Sequence, residues 1–136
     1  MMNSLEDIIF KNLLENESYM RRVIPFVKEE YFQTKSEKLL FKAVREHIAK
    51  YNTSPYVDAI AIDLQNSNEL TQKEFDELSE RLKNFSSLSV QDEEWLIDKT
   101  EKFCQDKAIY NAILESIHIM DGKSKTKTTT ALPEIL

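Results

Sequence analysis

The chain has 136 residues, 41% hydrophobic and 31% charged, with a net charge of −6. That is room for one compact domain, and it is too apolar for a disordered polymer. Its single glycine, Gly122, stands against roughly nine or ten at about 7% usage. Folds that spend glycine on tight turns or on phosphate loops are thereby disfavoured, and an all-α chain is expected.

Six helical segments follow one another, each with a start signal. Ser4 is placed to cap the first, with Asp7 at the third helical position and Leu5, Ile8, Ile9 and Leu13 on one face. Asn16 caps a second, whose apolar side is Tyr19, Met20, Val23, Phe26 and Val27; Pro25 must kink or shorten it, because proline lacks the amide hydrogen. Thr34 and Glu37 form a capping box that opens a helix to about Tyr51, with Leu39, Leu40, Ala43, Val44, His47 and Ile48 facing inward. Ser54–Pro55 reads as a cap with proline at the first helical position, followed by Val57, Ile60, Ala61 and Leu64.

Thr71 and Glu74 make a second box, ahead of the stripe Phe75, Leu78, Leu82 and Phe85 on a strongly charged helix. After the polar connection at 86–89, the longest helix is expected over 90–121. Leu96, Phe103, Tyr110 and then Leu114 or Ile117 recur along it at close to seven residues, widened by Ile109, Ile113 and Met120. A short connection favours antiparallel neighbours, and a helix of about 30 residues runs about 45 Å. That exceeds what this core needs, so a helical hairpin that packs on another subunit is expected. Phe75, Leu78, Leu82, Phe85, Phe103, Tyr110 and Leu114 are the candidate hairpin-packing and oligomer-interface residues. Residues 1–122 therefore read as one domain, with a globular part over 1–68 and a hairpin over 69–122. Residues 123–136 read as a linker: a basic run, then Ala131–Leu136, apolar again as though opening a further element.

Several features exclude chemistry or set it aside. Residues 123–136 carry +2, leaving −8 on residues 1–122, so autonomous binding to nucleic acid is disfavoured. No apolar run approaches the roughly 18–20 residues of a membrane span. The stretch Met1–Asp7 has acids where a secretory signal has a basic and then an apolar run. Cys104, the one cysteine, points to a reducing compartment and a small buried side chain. Gly122–Lys123–Ser124 resembles the end of a phosphate loop, but position 117 is Ile and helix precedes it, so Gly122 is expected to terminate the long helix in the left-handed conformation. His47 and His118 have no histidine or cysteine partner at ligand spacing, and no metal or cofactor site is expected. Trp95 reads first as a core anchor and second as an interface contact. No catalytic constellation emerges.

Beyond these physical readings, a collinear set of residues carries a resemblance. Glu30–Tyr31–Phe32, Lys38, Leu40–Phe41, Ala43, His47, Pro55, Asp58–Ala59 and Leu64 follow the pattern of N-terminal domains in DnaB-type replicative helicases. Tyr51, Leu64, Asn66–Ser67, Thr71, Glu74–Phe75, Trp95–Leu96, Thr100–Lys102 and Ala108 with Tyr110–Ala112 look more closely like the collar domain of the T4-like phage members. Ala131–Leu136 looks like the entry to the linker helix before their ATPase domain. The resemblance implies a helical bundle and hairpin that form hairpin-paired dimers within a hexamer in the host cytoplasm. It implies docking of primase and, in T4-like phages, assembly with the helicase loader. ATP, Mg and the 5′–3′ helicase activity would belong to a motor domain beyond residue 136, with single-stranded DNA engaged only in the full assembly. A stand-alone phage adaptor, such as a loader or a transcription-regulatory protein, is the alternative, and an enzyme is the third reading.

Overall fold

The computed structural model describes residues 4–89 and 91–126, with side chains in the last helix described through residue 122. Among the described residues the chain is all-α: α1 (Leu5–Glu15), α2 (Glu17–Val23), α3 (Lys35–Tyr51), α4 (Val57–Asn66), α5 (Gln72–Asn84) and α6 (Glu93–Thr126). Single 3-10 turns at Glu29–Tyr31 and Phe85–Ser87 join α2 to α3 and extend α5.

The caps explain most boundaries. Ser4 Oγ accepts from the Asp7 amide, Asn16 Oδ1 from Tyr19 and Thr71 Oγ1 from Glu74, each at 3.1 Å. At Thr71 the box closes, because the Glu74 carboxylate accepts from the Thr71 amide at 2.9 Å. Each bond satisfies an amide that has no partner inside its helix. α2 stops at Val23, ahead of Pro25, as a proline requires.

Four local expectations are corrected. Thr34 caps α3 as read, but the Glu37 carboxylate turns to Arg81 at 2.8 Å, where a cation rewards it more than an amide does. Ser54–Pro55 does not open α4, which starts at Val57 after Tyr56 with no side-chain cap. That segment is held by Glu17, which accepts from Thr53 Oγ1 at 2.7 Å and from the Ser54 amide, and both bonds hold its carboxyl below the usual range. Gly122 lies inside α6, not at a left-handed terminus. A lone glycine costs a helix only about 1 kcal/mol, and Lys123–Thr126 contains no breaker, so four residues read as linker are helical. The rest of that linker, 127–136, lies outside the described residues. Trp95 is 43% exposed on the first turn of α6, with the Lys99 ammonium 5.8 Å from its ring, and is no core anchor.

One compact unit ends at Cys104 and a second begins at Gln105. The first is larger than the expected 1–68 because α5 and the start of α6 contribute to its core. Phe32 is the hub, its ring 4.8 Å from Phe10, 5.3 Å from Phe41 and 5.7 Å from Phe103. Phe85 stacks on Phe10 at 6.4 Å. These offset contacts add directional preference to plain burial. Lys38 Nζ donates to the Phe32 carbonyl, fixing the turn that delivers the hub. Two polar ties cross this core. Tyr19 Oη and Thr100 Oγ1 are 2.6 Å apart and buried, and burial pushes the phenol well above its ordinary range. Arg81 donates to Asp7 at 2.7 Å and to Glu37 at 2.8 Å, joining α1, α3 and α5. Burial opposes the Arg81 charge, but the bonds to Glu37 and Asp7 outweigh it and raise its pKa.

Candidate interaction surface

The seven residues expected to form one hairpin seam fall into two sets. Leu78, Leu82, Phe85 and Phe103 are buried in the first compact unit, and Phe75 packs half-buried against the same core. Their cover is the body of the domain: α5 packs on α4, and its 3-10 extension packs on α1. Tyr110 and Leu114 lie in the second unit and are 50% and 45% exposed. The heptad spacing joined two stretches of α6 that do different work.

In the first stretch the period is used inward. Asp92 Oδ2 accepts from the Trp95 amide at 2.9 Å and starts the helix, so that Leu96, Ile97, Thr100, Phe103 and Cys104 fall on the buried side. Burial raises the Cys104 thiol to about 11, so it is a packing group and no nucleophile at neutral pH. Ser18 and Arg22 of α2 tie the same end down, through Ser18 to Glu93 at 2.9 Å and Arg22 to Glu94 at 2.5 Å.

In the second stretch the apolar residues continue, and among the described residues they are largely exposed. Ile109, Tyr110, Ile113, Leu114, Ile117 and Met120 are between 45% and 67% exposed. Their spacing of three and four residues puts them on one side of a helix, about 140° wide. Ile119 is exposed as well and points away from that stripe. Burying the remaining area stabilises by about 1 kcal/mol for each half-covered aliphatic side chain. A helix of this length with no tertiary support is marginal in water. Exposed apolar patches of this kind are uncommon on monomeric proteins. Tyr110 and Leu114, named from the periodicity, share this exposed side with Ile109, Ile113, Ile117 and Met120.

A smaller apolar patch went unread. Tyr51, Tyr56 and Ile62, at the end of α3 and on either side of the start of α4, are 57%, 83% and 57% exposed around a cleft of about 520 Å³. His47 leans on Tyr51 there, with ring centroids 4.7 Å apart. Its sequence signal was the aromatic content of 51–56, hidden by the proline that suggested a helix start. Asn52 turns this corner in the left-handed conformation at φ 56°, and Arg21 holds its carbonyl at 2.9 Å.

Among the described residues no group of three or more His, Cys, Asp or Glu side chains is arranged to hold a metal ion. No described helix is long and apolar enough to cross a membrane.

Comparison with known proteins returns no matching family model. Over 138 aligned residues the chain is 28% identical to a DnaB-like replicative helicase of Enterobacteria phage T4. The alignment takes in 96% of this chain and 29% of that helicase. The likeness therefore relates the chain to a phage replicative helicase over nearly all of its own length, and the chain spans under a third of its relative.

Proposed function

We propose that this chain is a non-catalytic assembly module of a phage replicative DNA helicase, corresponding to its N-terminal collar. It self-associates through α6 and docks primase and, in assembly, the helicase loader. The observation that carries the reading is the exposed stripe Ile109–Met120, six large apolar side chains that are 45% to 67% exposed among the described residues. The collinear likeness to a replicative helicase supplies the context, since that relative is more than three times as long as the stretch it shares with this chain. Unwinding, ATP and Mg binding and contact with single-stranded DNA then belong to other parts of a longer protein. Its place of work is the host cytoplasm.

Sedimentation tests the self-association directly. The chain is expected to associate with rising concentration, and Ile113→Lys with Ile117→Lys to hold it monomeric with the urea midpoint of the first unit unchanged. A wild-type chain that stays monomeric at every concentration sinks the reading. Because both positions lie beyond Cys104, the substitutions leave the first unit's core untouched.

A further inference from the structure

A trough of about 430 Å³ runs between α4 and α5. Its floor is apolar: Val57 and Ala61, one turn apart on α4, and Phe75 on α5, all half-buried. Its rim is acidic. Asp58, Asp76 and Glu80 are exposed there, against a single ammonium, Lys83. None of the three carboxylates forms an ion pair among the described residues, whereas Lys11, Arg21, Arg22, Lys35 and Arg81 are each paired with other acids. Among the described residues Asp76 accepts from the side-chain Nε2 of Gln72, on its own helix, at 2.9 Å.

Two features of this trough act together. An apolar floor between two helices suits the apolar face of a third, the helix-in-groove arrangement. Carboxylates along the rim select the sign of what lies beside that face, because like charges across an interface repel and opposite ones steer. Phosphate backbones are rejected by the same rim.

We propose that the α4–α5 trough is a docking site for a basic amphipathic helix of a partner protein, with aliphatic side chains seated on Val57, Ala61 and Phe75 and its lysines or arginines facing Asp58, Asp76 and Glu80. It rests on the partner-docking half of the proposed function and is independent of the self-association half, because every trough residue precedes Cys104.

The probe is a synthetic helical peptide of about four turns, with leucines at i, i+4, i+7 and i+11 and lysine or arginine elsewhere. Titrated into the whole chain, it is expected to bind saturably and to shift the amide resonances of 57–61 and 75–80 first. Asp76→Lys and Glu80→Lys should each weaken binding about three- to tenfold, the scale of a rim charge turned from attraction to repulsion. Ala61→Trp, which fills the trough, should abolish binding at unchanged helicity. Glu115→Lys on α6 serves as control and should change nothing. Equal binding of a peptide with the same composition and scrambled leucines overturns the proposal, as does equal loss from the Glu115 variant. If Asp76→Lys instead abolishes self-association of the chain, the occupant is a second copy and the proposal fails. Sedimentation of the unliganded chain separates these outcomes from failure of the α6 reading.

Discussion

Phe32 and Arg81 carry more of the organisation of this chain than their neighbours. Phe32 gathers three rings from α1, α3 and α6. Arg81 links three helices through two carboxylates, one of which, Glu37, keeps only 9% of its side chain exposed. Removing the guanidinium leaves that carboxylate buried without its partner, which costs far more than losing a surface pair. Arg81→Met is therefore expected to destabilise the chain by about 2–3 kcal/mol, somewhat below the ~3–5 kcal/mol of a fully buried broken pair because Arg81 is itself partly solvated. Urea unfolding measures this, and an unchanged midpoint would show the triad to be ornamental to stability.

At the scale of elements, two hydroxyls that look alike in sequence behave differently. Thr71 closes a capping box, whereas Ser54, read as a cap, is half-buried, and its Oγ, itself out of solvent, lacks a hydrogen-bond partner among the described residues. Thr71→Ala is expected to cost about 1 kcal/mol, the usual value of a lost N-cap. Ser54→Ala should cost nothing or stabilise, because it removes a buried polar atom that gains no bond. Comparing the two by denaturant midpoint checks the assignment, and the reverse order contradicts it. The difference was not visible locally. Both serine and threonine stand before helical patterns, and only the fold brings Glu17 to Thr53 and the Ser54 amide, holding that segment out of α4.

At the scale of the whole molecule, α6 divides at Cys104. Its first turns complete a core, and its later turns expose an apolar stripe. A chain shortened to end at residue 108 should retain the core, since Phe103 and Cys104 are the last buried side chains among the described residues. It is expected to unfold in urea near the midpoint of a monomeric full chain and to show no concentration-dependent association. Gradual, non-cooperative melting of the shortened chain would mean that the later turns support the first unit, and would remove the division proposed for α6.

Glycine scarcity, capping residues and apolar spacing determined the all-α class and the starts of α1, α2, α3 and α5, because caps and amphipathic faces are local in origin. The stripe on α5 and the long α6 were legible for the same reason. What tertiary structure decided was which apolar faces find cover. Phe85 and Phe103 fit a hairpin seam by spacing, yet Phe10 and Phe32, more than 70 residues away in the chain, claim them for the core. Tyr110 and Leu114 have the same spacing and stay half-exposed among the described residues. Periodicity tells which side of a helix is apolar. Only packing tells whether that side is already occupied, and here the answer changes partway along a single helix.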